Sequence, residues 1–310
     1  MDFHSTCIIW NPASAGGRAR KRWYALEKAL LRRNYPFKAS KTEYPGHAIR
    51  LARDAIEEGY LRLAAFGGDG TLHEVVQGMM SNDHMAHPDL NLSFLPAGSS
   101  CDFAKLLPPR SCIERLCSSR SFLMDLIRIE CRCIGDSTKI SYAVNSSSIG
   151  IISMASKRIN YRSRLTNLAK RFSIDACSIL AGAEAIMIIK PILCDIYLDD
   201  NRLNDLFISN LTVFKNPWIA GKMKFGEAEL AEGKMLNLAL LKTESKARTL
   251  GLFFHLYHGT IFQSSMVSHY TCQTVEVKTN RQQTVEADGE LIGFTAARYT
   301  LLPDAIRIVI

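Results

Sequence analysis

Apolar and polar positions along the first part of the chain alternate between a strand-like and a helix-like period. Short apolar or alternating runs at Thr6–Trp10, Phe37–Lys41, Leu61–Phe66 and Leu92–Leu95 predict strands. The segments between the first of them predict helices. Arg18 to Asn34 puts Trp23, Leu26 and Leu30 on one face, and His47 to Glu58 does the same with Ala48, Leu51, Ala52, Ala55 and Ile56. Gly59 then stops the second helix as a C-cap residue does. Leu72, Val75, Val76, Met79 and Met80 follow the i, i+3, i+4, i+7, i+8 spacing of a third buried helix face. Repeated strand–helix units imply a parallel sheet, with ligands at the C-terminal ends of the strands.

After about Asp125 the pattern changes. Alternating segments dominate: Ser141–Asn145, Cys194–Leu198, Leu206–Phe214, Leu236–Leu241, Thr274–Lys278 and Ala305–Ile310. Turn signals at Asp199-Asp200-Asn201, Asn216-Pro217 and Asp288-Gly289 separate some of them. The expected organisation is therefore an α/β domain over 1–125 and an antiparallel β domain with one or two helices over 126–299.

The glycine turns carry the chemistry. They fall where the strands end: Asn11-Pro12-Ala13-Ser14-Ala15-Gly16-Gly17, Gly67-Gly68-Asp69-Gly70 and Pro96-Ala97-Gly98-Ser99-Ser100. A strand, a glycine turn and a helix N-terminus build an anion site, because unpaired N–H groups converge where the helix dipole is positive. Asp69 within such a loop is repelled by a phosphate unless a cation bridges the two, which points to a metal–nucleotide site. The plainer alternative is an ordinary tight turn with a solvated aspartate.

Other phosphate- and hydrolase-type motifs are absent. There is no Gly-x-x-x-x-Gly-Lys-Ser/Thr loop and no Gly-x-Gly-x-x-Gly after the first strand. His73-Glu74 lacks the second histidine of a His-Glu-x-x-His site, and no Gly-x-Ser-x-Gly elbow occurs. Farther on, Val285-Glu286-Ala287-Asp288-Gly289-Glu290 concentrates three carboxylates, which share one face if the segment is extended. Phosphoryl transfer needs charge neutralisation and a carboxylate to accept the acceptor hydroxyl's proton. Asp288 could fill that role, while Asp-Gly alone is also an ordinary turn.

Composition narrows the partners. With 310 residues, 47% hydrophobic and 22% charged, the chain can bury two cores. The net charge of +8 is partly gathered in two clusters, Arg18 to Arg22 and Lys157 to Arg171. Aromatic residues in the second cluster are few and no nucleic-acid motif is present, so no nucleic-acid partner is expected. An anionic membrane surface fits better, beside the alternative of a solvated helix face. The Ile174–Ile196 region is broken by Asp175, Glu184, Lys190 and Pro191 and fails as a membrane span. The start of the chain shows no secretory pattern, and nine cysteines without ordered spacing suit free thiols in a reducing cytosol.

These motifs together resemble the diacylglycerol kinase catalytic-domain family, in particular the soluble bacterial lipid kinases related to sphingosine and ceramide kinases. The resemblance rests on Asn11-Pro12-Ala13-Ser14-Ala15-Gly16, on Thr42 with Gly46-His47-Ala48, and on Gly67 to Val76. Leu95 to Ala104, Ala231-Glu232-Gly233 and Asp288-Gly289-Glu290 complete it in family order. It implies a Rossmann-like parallel-sheet nucleotide domain, to which 300–310 returns, and a C-terminal antiparallel β-sandwich domain for the lipid, with the active site between them. It implies an ATP-dependent, Mg²⁺-requiring lipid kinase, cytoplasmic and peripherally associated with an anionic membrane surface. A homodimer is left open.

Carried over by motif, Asn11, Pro12, Ala13, Ser14, Ala15, Thr42, Gly67, Gly68, Asp69, Gly70, Thr71, Leu72, His73 and Ser99 surround ATP. Asp69 acts on the phosphates through Mg²⁺ and water. Asp288 or Glu290 is the proton acceptor. The resemblance also implies a structural Mg²⁺ at the Glu232 loop, with backbone oxygens of Glu229 and Lys234. The chain departs from the family pattern at Cys101, where asparagine is usual, and at Glu232, where aspartate is usual. The alternatives are a non-catalytic nucleotide- or lipid-binding regulator, and an NAD kinase, which shares the Gly-Gly-Asp-Gly loop but expects an Asn-Glu pair that is absent here.

Overall fold

The computed structural model describes residues 6–133, 135, 137–160, 174–227, 230, 233–242 and 245–310. The chain divides into two compact units, Met1–Leu126 with Leu302–Ile310, and Ile127–Leu301.

The first unit runs β1 (Thr6–Trp10), α1 (Ala19–Arg32), β2 (Phe37–Lys41), α2 (His47–Glu57), β3 (Arg62–Gly67) and α3 (Asp69–Met79). A short ribbon of β4 (Met80–Ser81) and β5 (His84–Met85), then β6 (Asn91–Pro96) and α4 (Cys112–Cys117) follow, and β7 (Ser121–Arg132) begins in this unit and continues into the second. Strands β2, β1, β3 and β6 lie side by side and are all parallel. All five residues of β1 are buried, as a parallel strand covered on both faces requires. Helix α1 buries Ala19, Trp23, Leu26 and Leu30, and Trp23 stacks on Trp10 with ring centroids 5.0 Å apart. Helices α2 and α3 touch at Gly78, where a Cβ would come within 2.5 Å of the Ile49 carbonyl oxygen. A side chain there would force the two helices apart.

The second unit contains β8 (Thr138–Ala143), β9 (Ser146–Gly150), α5 (Ile151–Asn160), α6 (Ile174–Ile188), β10 (Ile192–Leu198) and β11 (Asn201–Phe214). It continues through β12 (Trp218–Ile219), β13 (Met223–Lys224), β14 (Leu236–Lys242), α7 (Lys246–His258), β15 (Val267–Cys272), β16 (Thr274–Thr279) and β17 (Thr284–Ala287). The last strand, β18 (Glu290–Val309), begins in this unit and ends in the first, where Ile308 pairs in parallel with Leu92. Within the second unit the strand pairs are antiparallel, in the order β15-β14-β11-β10-β16-β18. One core cluster of this unit is mainly aliphatic, built on Ile127, Ile149, Ile196, Leu211, Leu238, Val277 and their neighbours.

Two expectations change here. The strand expected over Ser141–Asn145 is the end of β8, which stops at Ala143; after a break at Val144 and Asn145 a further strand, β9, begins at Ser146, where none was expected. The amides at the break point to a carboxylate from a distant turn, not to a neighbouring strand. The described residues also hold three helices in this unit, where one or two were expected.

Candidate active site

In the first unit the glycine turns pack backbone against backbone. A Cβ at Gly98 would lie 2.4 Å from the Gly68 Cα, and one at Gly67 would lie 2.4 Å from Thr71 Oγ1. The Gly67 carbonyl accepts the N–H groups of Ala97 (2.7 Å) and Gly98 (2.9 Å), which fixes the loop after β6 beside the loop after β3. Only glycine permits this approach.

Asp69 opens α3 and clamps the same pair of loops. Its two carboxylate oxygens accept the N–H groups of Asp102 and Phe103, each at 3.0 Å. Burial, with the Asp69 charge nearby, pushes the Cys101 thiol up to about 12. Cys101 is therefore a neutral thiol, and it donates to the Gly67 carbonyl at 3.7 Å.

The first loop joins this group through Asn11. Its side-chain amide donates to Thr71 Oγ1 at 3.1 Å, while its Oδ1 accepts the Ala13 N–H at 2.9 Å. Ala15, Gly16 and Gly17 follow with positive φ, and the Gly17 N–H donates back to the Ala13 carbonyl at 3.2 Å. Pro12, Ala13 and Ser14 lie on this loop, at least partly accessible, and Ser99 is exposed on the loop after β6. Thr42, Gly67, Thr71, Leu72 and His73 are buried. Gly68, Asp69 and Gly70 are half-buried at the start of α3.

Sequence reasoning gave Glu74 no role. Its carboxylate caps the start of α2, accepting the N–H groups of Gly46 (2.8 Å) and Ala48 (3.0 Å). The Glu74–helix pairing favours a carboxylate by charge as well as by hydrogen bonding. It ties α2 and α3 together under the loops.

In the second unit the three carboxylates of 286–290 do not share a face. Strand β17 ends at Ala287, and the chain turns at Asp288 (φ 50°) and Gly289 (φ 90°) before β18 begins at Glu290. Glu286 points into the core, Asp288 lies in the turn, and Glu290 is exposed. The Asp288 carboxylate accepts the N–H groups of Val144 (2.9 Å), Asn145 (2.8 Å) and Ser146 (3.2 Å), the amides at the break between β8 and β9. Asn160, at the end of α5, donates to the Gly289 carbonyl at 2.9 Å.

Glu286 is 2% exposed, and burial pushes its carboxyl up to about 8. Hydrogen bonds from Gly289 N–H and Ser148 act against that shift, and the Asp288 charge adds to it. The folded protein thus keeps this proton up to about pH 8, whereas the unfolded chain releases it near the ordinary 4.5. Folding stability should fall as pH rises between those values, by several kcal/mol in order of magnitude, and level off above them. Glu286→Gln should remove this loss, so its melting temperature should gain on wild type from pH 5 to pH 8. Thermal melts across that range test the point; a constant offset between the two proteins would show that Glu286 is already ionised.

The proposed structural metal ion meets an obstacle. Glu229 and Glu232 lie outside the described residues. Lys234 is exposed, and the carbonyls on either side of it, Gly233 and Met235, accept the buried ammonium of Lys215 at 2.6 and 3.3 Å. The carbonyls on both sides of Lys234 are thus already engaged by a cation of the protein itself. No group of three or more His, Cys, Asp or Glu side chains that could hold a metal occurs among the described residues.

Of the basic cluster, Lys157 is exposed and Arg158 pairs with Glu184 at 2.8 Å. Arg162, Arg164, Lys170 and Arg171 lie outside the described residues. None of the nine cysteines forms a disulfide. No helix among the described residues is long and apolar enough to cross a membrane.

Residues 5–129 match the diacylglycerol kinase catalytic domain, and residues 147–310 match the YegS C-terminal NAD kinase beta sandwich-like domain. YtlR, a candidate lipid kinase of Bacillus subtilis, is 26% identical, covering 97% of this chain and 98% of its own. The diacylglycerol kinase of the same organism is 22% identical, covering 97% and 95%. A solved structure of a candidate diacylglycerol kinase from Bacillus anthracis superposes with a TM-score of 0.74 at 16% identity, covering 100% of this chain and 98% of that one. An NAD kinase from Archaeoglobus fulgidus, solved in complex with ATP, gives a TM-score of 0.51 at 12% identity, covering 98% and 92%. At such identities the structural likenesses establish the fold alone.

Proposed function

The chain belongs to the diacylglycerol kinase catalytic-domain family, and from that premise we propose that it transfers the γ-phosphoryl group of ATP to the hydroxyl of a lipid. Diacylglycerol, a related glycerolipid or a sphingoid base is the acceptor class. The first unit serves as the Rossmann-like nucleotide domain and the second as the lipid-binding β-sandwich.

The observation that carries this reading is the clamp of Asp69 on the Asp102 and Phe103 amides, with Gly68 and Gly98 in backbone contact. It holds two glycine loops and the N-terminus of α3 together at the ends of parallel strands. That arrangement suits a polyphosphate, which needs N–H donors and close backbone approach more than side chains. Asn11 fastens the third loop through Thr71. Mg²⁺ bound with the nucleotide would neutralise developing phosphate charge, with Asp69 as the nearby carboxylate acting across water.

On the acceptor side, Asp288 is the positioning residue and Glu290 the proton acceptor. Three amides occupy the Asp288 oxygens, so this carboxylate sets the shape of the turn. Glu290 is exposed on the next strand, which suits it to the proton-accepting role. The lipid is presented from an anionic membrane surface, to which Lys157 and the neighbouring basic residues are attracted.

Incubation with labelled ATP and a panel of lipids, with NAD included and products identified by mass, tests the proposal. A phosphorylated lipid is expected. Labelled NADP, or no lipid-dependent consumption of ATP, would overturn it.

A further inference from the structure

Lys215 is a charged residue at the end of an otherwise apolar and hydroxylic strand, Leu211-Thr212-Val213-Phe214. Its residue is only 6% exposed. A buried ammonium is costly unless oxygen atoms replace its water. Here the carbonyls of Gly233 and Met235 do so, at 2.6 and 3.3 Å. They flank Lys234, whose own backbone oxygen the family resemblance assigns to a divalent ion, in the loop that leads into β14.

The backbone of the same residue faces the acceptor turn. Lys215 N–H donates to the Asn145 carbonyl at 2.9 Å, and Asn216 N–H donates to the same oxygen at 3.1 Å. The Asn216 side chain adds a buried bond to Asn145 Oδ1 at 2.7 Å. Asn145 in turn presents its own N–H to Asp288 at 2.8 Å. One continuous chain of hydrogen bonds therefore runs from the 233–235 loop through Lys215 and Asn145 to the Asp288 carboxylate.

We infer that the Lys215 ammonium is the resident cation of residues 233–235, next to the residue at which the resemblance places a structural metal ion, and that it positions the Asp288 turn without a divalent ion. A covalently tethered cation cannot dissociate, so the order of the loop does not depend on the free Mg²⁺ concentration. The inference concerns the folded chain and does not rest on the lipid kinase reading; Mg²⁺ carried by a nucleotide is a separate matter.

The test uses nucleotide-free full-length protein and needs no activity. Wild type should melt at the same temperature in EDTA and in millimolar Mg²⁺, and should retain no stoichiometric metal after gel filtration. A saturable rise in melting temperature with Mg²⁺ would overturn the inference, because a ligand that binds only the folded state stabilises it by mass action. Lys215→Met should melt lower, and the amides of residues 142–148 should exchange hydrogen roughly 10- to 100-fold faster, the effect of losing charge-assisted bonds that held a neighbouring segment. Wild-type exchange rates in that variant would overturn the coupling to Asp288. If the variant does not fold, the wild-type comparison alone decides whether the loop's cation is the lysine or a metal.

Discussion

Glu290→Gln is expected to cut lipid phosphorylation by roughly 10²- to 10⁴-fold, the usual worth of general-base help, while ATP affinity and melting temperature stay at wild-type values. A lipid hydroxyl has a pKa far above 7, so its proton must leave as the new phosphoryl bond forms. In the proposed reaction Glu290, exposed at the first residue of β18, would accept it. Asp288→Asn provides the contrast. An amide group cannot accept all three N–H bonds that Asp288 accepts, and its own NH₂ would oppose one of them. That variant should lose stability along with activity. Rate assays with saturating ATP and thermal melts on both variants separate the roles. A Glu290→Gln enzyme at full rate, beside a fully stable but inactive Asp288→Asn enzyme, would reverse the assignment.

Asp69→Asn should reduce turnover by at least ~10²-fold, the scale of losing one preorganised electrostatic group, and should weaken nucleotide binding as well. Both oxygens of Asp69 accept backbone N–H groups, from Asp102 and Phe103. Asparagine keeps one acceptor and turns a donor toward the other amide. An unsatisfied donor costs about 1–3 kcal/mol, enough to loosen the loop after β6 from the start of α3. The joint loss of affinity and rate distinguishes Asp69 from Glu290, whose loss should fall on rate alone. Titration with a fluorescent nucleotide, together with rates at saturating ATP, checks both halves. Full activity in Asp69→Asn would make this residue an ordinary turn aspartate.

Much of the first unit is legible in the residue pattern because its elements are locally determined. The face of Trp23, Leu26 and Leu30 predicts α1, which spans Ala19–Arg32 and ends before Asn34 takes a positive φ. Continuous apolar runs predict β1 and β3, and glycine turns follow each of them. What stayed hidden depends on partners far along the chain. The break between β8 and β9 exists because amides 144–146 turn to Asp288, more than 140 residues away. The same is true of Glu74, whose value as a cap for α2 appears only when α2 and α3 lie together. The face-sharing expected for Glu286, Asp288 and Glu290 assumed an extended segment, but Asp288-Gly289 turns, as Asp-Gly pairs often do. Lys215 offered one signal, a lone cation closing an apolar strand.

The division of the chain has a consequence for biosynthesis. The first unit is completed by residues 302–310: Ile308 pairs with Leu92 at the edge of β6, and the Ile310 N–H donates to the Arg120 carbonyl at 2.9 Å. The Ile310 carbonyl also accepts Arg110 Nη1 at 3.1 Å. On the ribosome, Leu92 emerges long before Ile308, and the whole second unit must be translated in between. At ordinary elongation rates of about 5–20 residues per second, that leaves β6 with an open edge for roughly 10 to 40 s. An uncovered parallel edge is a template for mispairing with other chains. A fragment ending near Leu126 would keep that vulnerability permanently, so expressing the first unit by itself should yield aggregate unless the 302–310 segment is grafted back onto it.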